Sequence, residues 1–218
     1  LTEQQRYLVL RGSGTPGGDG DATTLNIQGG TMRDLAGNTN GGDTRTLIEV
    51  ADTLKPTMVG ISIDYNNGHV TFSMSETMDY QLVNATFMNI FNDTSTPGVS
   101  LKGATVVSTA DSTDMVVKLT EPQRVFAIIN SGTTGGDNHS VLIKFDENAL
   151  ADAARNTLSP VIFPNVTETS DTVRPTLVSV LTDFGHGVIK LTFSEAIDSI
   201  PNTPSGVAKP VLLDRIFI

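Results

Sequence analysis

Residues 52–79, DTLKPTMVGISIDYNNGHVTFSMSETMD, return at 171–198 as DTVRPTLVSVLTDFGHGVIKLTFSEAID. Asp52 aligns with Asp171, Pro56 with Pro175, Asp64 with Asp183, Gly68 with Gly187, Glu76 with Glu195 and Asp79 with Asp198, at a constant offset of 119 residues. A second segment, residues 1–38, returns at 119–156 with an offset of 118. Self-similarity at a fixed long period is the mark of a tandem array, and it constrains the fold more than any local motif. Boundaries fall at 51/52 and 170/171. Residues 1–51 read as the C-terminal part of one repeat, 52–170 as a complete repeat, and 171–218 as the N-terminal part of another.

Within the complete repeat the local pattern is that of strands. Val70, Phe72 and Met74 alternate with Thr71 and Ser73, as Ile189, Leu191 and Phe193 do with Lys190 and Thr192. That period of two places the apolar groups on one face. Asn66-Asn67-Gly68 supplies the turn chemistry of a tight hairpin between strands at 57–63 and 69–74. Further strands are expected at 86–91, 104–108, 115–119, 125–130 and 141–145, with others at 7–10, 24–27 and 46–50. Pro56, which has no N–H to donate, suits the start of an edge strand. About seven short strands with turns between them predict an all-β Greek-key sandwich, with no helix beyond a turn or two. One such turn is expected at 32–38, MRDLAGN, and its copy at 150–156. The Gly-rich stretch at 11–21 (RGSGTPGGDGD) lacks the Gly-Lys-Ser/Thr of a phosphate-binding loop and reads as a mobile hairpin loop.

The composition narrows the partners. Net charge is −10, and Lys and Arg stand singly, which argues against nucleic acid. The longest apolar run, residues 125–129, is far too short to span a bilayer. There is no cysteine, so no disulfide holds the domains. The chain opens on Leu1 with neither an initiator Met nor a signal peptide, which reads as a processed or truncated N-terminus. It enters late in one repeat and leaves early in another, with 211–218 (VLLDRIFI) matching the strand at 86–91 after a Pro-rich insertion at 200–210. The split repeat is expected to be finished either by further chain or by a neighbouring subunit, the latter giving head-to-tail assembly by strand complementation.

The DTxxPT opening, the Asp-containing turn, the LTFSEAID strand end (residues 191–198) and the DLAGN closure (residues 34–38) resemble bacterial Ig-like repeats of S-layer and adhesin proteins, the SbsA-type and SwmB-type modules. The resemblance covers the whole chain as one full and two partial copies. The middle copy departs from it in SMSETMD (73–79) and DAARN (152–156). It implies Ig-like sandwiches and an extracellular role as spacer, stalk or lattice subunit.

Four N-x-Ser/Thr sequons, at Asn84, Asn92, Asn138 and Asn165, mark candidate N-glycosylation sites. Ser/Thr-rich loops at 93–97 and 167–172 are further candidates for O-linked sugars. Oxygen-bearing side chains gather at the repeat junctions: Asp34, Asn38 and Asp52 at one, and Asp152, Asn156 and Asp171 at the next, with Glu76 and Glu195 as further candidates. Six to eight such oxygens are what Ca²⁺ takes, although Asp and Asn also bond their own backbone at turns. Catalysis is not expected. His69, His139 and His186 fall in or beside turns, and the carboxylate pairs Glu76/Asp79 and Glu195/Asp198 recur once per repeat, which favours structure over a single active site. The sequence therefore reads as a structural, non-catalytic subunit of an extracellular, glycosylated filament, stalk or surface layer, partnered by copies of itself. The alternative is an adhesin repeat that binds carbohydrate or a host protein through its loops.

Overall fold

Each copy of Leu-Thr-Glu-x-Gln-Arg opens a helix, which corrects the strands expected at 7–10 and 125–130. Helix α1 spans Glu3–Arg11 and helix α2 spans Glu121–Ile129, nine residues apiece. The cause is an N-terminal capping box. Gln5 N–H donates to Thr2 Oγ1 (3.2 Å) and Thr2 N–H donates to Gln5 Oε1 (2.9 Å), while Thr120 N–H donates to Gln123 Oε1 (2.8 Å). Two otherwise orphaned donors are thereby satisfied, and Pro122 sits in the first turn, where its missing N–H costs nothing. In both copies the apolar residues are too bunched to betray a helical period by themselves.

The computed structural model describes residues 1–198; the expected strand at 211–218 and the insertion at 200–210 lie outside them. In chain order the strands are β1 (Thr24–Ile27), β2 (Asp43–Thr46), β3 (Met58–Asp64), β4 (His69–Met78), β5 (Met88–Phe91), β6 (Val99–Ser100), β7 (Thr105–Val106), β8 (Ser112–Lys118), β9 (Leu142–Phe145), β10 (Val161–Phe163), β11 (Val166–Thr169), β12 (Leu177–Asp183) and β13 (Val188–Phe193). Strand predominates, so the all-β class holds at that level, with the two helices as additions.

Two compact units emerge, residues 1–170 and residues 171–218. In the first, the complete repeat forms a five-stranded sheet in the order β11-β3-β4-β8-β7 and a four-stranded sheet in the order β10-β9-β5-β6. Both sheets turn apolar side chains toward one core. Ile63, Val70, Phe72, Met115 and Val117 come from the first, and Met88, Ile90, Ile143 and Phe145 from the second, all fully buried. Phe72 and Phe145 meet edge to face with ring centroids 5.2 Å apart, the geometry favoured by opposed ring quadrupoles. Strand β11 joins β3 in parallel, Val166 opposite Ile61 and Thr169 opposite Asp64. Pro56 therefore precedes an interior strand rather than an edge strand, and it stops two residues short of the ladder. The Ser/Thr-rich segment at 167–172 is also partly strand, since Thr167 and Thr169 lie in β11.

The Gly-rich stretch at 11–21 is not a hairpin loop. It is the exit from α1, closed by Gly20 N–H to Ser13 C=O (3.1 Å), and α2 ends the same way through Asn138 N–H to Ser131 C=O (3.2 Å). A Cβ on Gly18 or Gly136 would stand 2.1 Å from that serine carbonyl, so only glycine fits there. A carboxylate pins each exit. Glu168 accepts from Gly132 N–H (2.9 Å), Val141 N–H (3.3 Å) and the buried Tyr65 hydroxyl (2.7 Å), and Glu49 accepts from Gly14 and Thr23 N–H (2.8 Å each).

In the N-terminal residues β1 and β2 form an antiparallel pair, copies of β9 and β10, and residues 47–50 run on without a ladder. The expected turns at 32–38 and 150–156 are not helical. Each is a tight loop closed by a single bridge, Arg33 to Thr39 and Ala151 to Thr157. In the second unit β12 and β13 pair antiparallel, with a register shift at Leu177/Ser179 that reproduces the one at Met58/Gly60.

The bridged loops differ at one telling position. Gly37 has φ 92°, and its counterpart Arg155 is held at φ 73°, in the left-handed region where a side chain is strained. Because the Arg155 side chain is exposed, Arg155→Gly is expected to raise the unfolding free energy by about 0.5–1 kcal/mol, and Arg155→Val to lower it by about 1 kcal/mol or more, in urea titrations.

Candidate functional site

The capping box that starts α1 also aims two of its side chains. Glu3 in the first turn and Arg6 one turn on face the end of β4, and the carboxylates there converge on Arg6. Its Nε and Nη2 donate to Glu3 Oε2 and Oε1 (2.8 and 3.0 Å), Nη2 donates to Glu76 Oε2 (2.7 Å), and Nη1 donates to Asp52 Oδ2. Glu3 Oε1 also accepts Thr77 N–H at 2.7 Å, which ties the helix to the strand. Asp152 completes the group: one oxygen each from Asp52, Glu76 and Asp152 lies within 4.8 Å of the others. Asn156 braces them, donating from its backbone to Asp152 Oδ1 (2.7 Å) and from Nδ2 to Asp152 Oδ2 (2.9 Å) and the Asp52 carbonyl (3.2 Å).

Three carboxylates thus bond one guanidinium, and a fourth, Asp152, stands beside two of them. Hydrogen bonding to Arg6 holds the Glu3 carboxyl down at about 2, whereas burial raises Glu76 and Asp152 above the usual carboxylate range, Arg6 and Asn156 opposing that only in part. The Arg6 guanidinium, bonded first to Glu3 and then to Glu76 and Asp52, is held cationic throughout. Neighbouring contacts extend the joint. Tyr7 Oη donates to Asp111 Oδ2 (2.8 Å), whose other oxygen accepts Tyr80 N–H (3.2 Å). Gly17 packs directly on the 153–154 backbone, where a Cβ would meet the Ala153 carbonyl at 1.9 Å.

Of the six junction residues read as candidate calcium ligands, the structure brings together Asp52, Asp152 and Asn156, with Glu76. Asp34 and Asn38 are elsewhere, in an exposed loop where Asn38 donates to both Asp34 oxygens (2.8 and 3.0 Å) and lowers that carboxyl. Asp171 lies in the second unit and accepts Val173 N–H (2.9 Å), as Asp52 accepts Leu54 N–H. Arg6 is the residue that the sequence reading missed. Its signal was legible: T-x-x-Q-R stands at both 2–6 and 120–124. Asp79, paired in sequence with Glu76, instead caps a turn by accepting Gln81 N–H (2.9 Å).

The sequons take up varied positions. Asn84 is exposed and its side-chain oxygen accepts Thr86 N–H (3.1 Å) at the start of a 3-10 turn. Asn92 is half-buried just after β5, Asn138 is exposed at φ 73° in the exit of α2, and Asn165 is exposed between β10 and β11.

Arg6→Met leaves the carboxylates facing one another without their cation, and at pH 7 this is expected to cost about 2 kcal/mol, below the full buried-pair figure because Arg6 is partly solvated. The sign of the pH dependence follows from the shifts. A depressed carboxyl such as Glu3 contributes stability above pH 4.5 that is lost toward pH 2. Raised carboxyls such as Glu76 and Asp152 contribute only below the ordinary carboxylate range, and their penalty returns as pH rises. The deficit of the variant therefore shrinks as pH falls below 4.5, which thermal melts between pH 3 and 7 measure.

No protein family and no curated protein matches this chain. Among solved structures, the N-terminal part of the bacterial S-layer protein SbsC is similar to it with a TM-score of 0.36 at 15 % identity, over 60 % of this chain and 26 % of that one. The chain thus spans about a quarter of the length of that structure.

Proposed function

We propose that this chain is a structural, non-catalytic element of an extracellular or cell-surface filament, stalk or surface layer, built head to tail from Ig-like Greek-key repeats and glycosylated at its sequons. The observation that carries this reading is the joint around Arg6. The C-terminal part of one repeat is fastened to the next complete repeat through Arg6, Glu3, Tyr7 and Gly17, so that successive repeats share one polar cluster. The groups that resemble a catalytic carboxylate pair are already engaged, Glu76 by Arg6 and Asp79 by a turn. Such a joint sets a fixed relation between neighbours, which is what an array needs and a single active site does not.

In this reading Arg6 does at the junction what a calcium ion does in other arrays: it neutralises converging carboxylates from both sides. The melting temperature is therefore expected to be indifferent to chelator and to added Ca²⁺. Arg6→Gln, which vacates the cluster, is expected to gain a Ca²⁺-dependent rise in melting temperature. A fall in the parent's melting temperature on chelation would instead put an ion in the joint.

The structural role itself is tested by calorimetry and by ligand screening. Residues 1–51 and 52–170 are expected to melt in one transition that Arg6→Met splits or broadens. Selective binding of the chain to a glycan or extracellular-matrix array would favour the adhesin reading instead. Mass spectrometry before and after enzymatic deglycosylation is expected to show loss of mass from peptides bearing Asn84, Asn92, Asn138 and Asn165.

A further inference from the structure

Strand β10 runs into β11 through Pro164 and Asn165. Phe163, Asn165 and Thr167 alternate there with Pro164 and Val166, and Val166 goes inward to the core, 5 % exposed. The alternate three line one groove of about 430 Å³, together with Val59 and Gly60 of β3 and Ser73 of β4. That volume lies in the range of small-ligand sites. Pro164 fixes its own φ and holds Phe163 extended, so the spacing of the three is preset.

The groove is open at Gly60. A Cβ there would meet only the Ser73 Cβ, at 3.9 Å, and Gly60 does not have a positive φ. The register shift at Met58/Gly60 does not call for glycine either, since its copy at Leu177/Ser179 makes the same shift with a serine. A glycine inside a strand without such a cause marks a place where another group approaches the backbone closely. Val59 beside it is 65 % exposed, an apolar wall on the same groove.

We propose that Asn165 carries an N-linked sugar whose first pyranose ring lies in this groove, its apolar C–H face on Phe163 and over Gly60. This rests on the glycosylation in the reading above and names the sequon that holds its sugar against the fold. An activated glycosyl diphosphate is the donor. Its anomeric C–O bond breaks, the Asn165 amide nitrogen forms the new C–N bond and gives up one proton, and the diphosphate leaves with the electron pair. Thr167 supplies the hydroxyl of the sequon. The C–H groups of a pyranose face suit the negative face of an aromatic ring. Ser73 Oγ donates to Asp114 Oδ1 (2.6 Å), which leaves its oxygen as an acceptor for a sugar hydroxyl.

The other sequons are built differently. Leu82, Ile90 and Gly136 stand two residues before Asn84, Asn92 and Asn138, where Phe163 stands before Asn165. Ile90 is fully buried in the core. Asn84 is tied into a turn through its side-chain oxygen, and Asn138 through its backbone N–H. None of these three sets an aromatic ring two residues before the acceptor.

The test secretes the 218-residue chain from a host that N-glycosylates and trims it with an endoglycosidase that leaves one N-acetylglucosamine at each occupied site. Its melting temperature is compared with that of Asn165→Gln from the same host, and the comparison is repeated in Phe163→Leu and Gly60→Val backgrounds. Peptide mass spectrometry gives the occupancy of each sequon. The sugar at Asn165 is expected to raise the melting temperature by about 2–4 °C, the worth of one aromatic stacking contact. That rise is expected to vanish in both backgrounds, whatever the substitutions do to the bare fold. An occupied Asn165 with no rise, or with a rise that all three backgrounds share, overturns the seating. So does an Asn165 that stays empty while other sequons are filled, and the glycosylation in the structural reading then stands. No sugar at any of the four overturns both.

Discussion

The joint between residues 1–51 and the complete repeat hangs on one guanidinium. Arg6 is the only cation bonded to Glu3, Asp52 and Glu76 among the described contacts, and an Asp152 oxygen lies within 4.8 Å of oxygens of Asp52 and Glu76. Burial, joined by repulsion from Asp52, drives the Glu76 and Asp152 carboxyls upward, and without a cation their convergence would be more repulsive still. With it, a helix, a linker, a strand end and a bridged loop are drawn to one point. The capping box aims that placement, and the Tyr7–Asp111 bond and the close approach of Gly17 lie beside it.

The core is redundant by comparison. Two sheets share a single apolar interior in which period-two alternation does most of the work, and the connections that cross between sheets range from the short β10–β11 link to the segment that carries α2. The helices sit outside this plan as packing elements and anchors: α2 covers the core with Ala127, and α1 presents Arg6. Each is followed by the same glycine-bearing exit, held by a glutamate from the far end of the repeat. Local chain chemistry thus fixes the ends of the helices, and long-range carboxylate contacts fix where those ends lie.

Much of this was legible in the sequence, and the reasons for the failures are specific. The repeat offset recurs in paired elements, β3–β4 with β12–β13 and β1–β2 with β9–β10, and strands β1, β3, β4 and β9 fall on segments read as strands. The helices were missed because YLVL and VFAII are apolar runs whose length fits either element. The deciding signal was Thr2–Gln5 and Thr120–Gln123, a polar pair just outside the runs. Strands β10 and β11 follow Pro160 and Pro164, which mask strand character. At the junction, oxygen-bearing side chains drew the eye toward an ion. The long reach of an arginine from a helix 46 residues away in sequence from Asp52 is a tertiary fact that no spacing encodes. Asp34 and Asn38 looked equivalent to Asp152 and Asn156 and made the same local turn, yet only the second pair has Asp52 and Glu76 beside it.

The parallel pairing of β11 with β3 has a consequence for load. Strand β3 opens the complete repeat and β11 closes it, and they run side by side in the same direction from Ile61 and Val166 to Asp64 and Thr169. Tension applied through the two ends of the repeat draws these strands along their shared axis in opposite senses. The hydrogen bonds between them are then strained together in shear instead of opening one by one from an end. Under such a load the sandwich would hold until the whole ladder gave way at once.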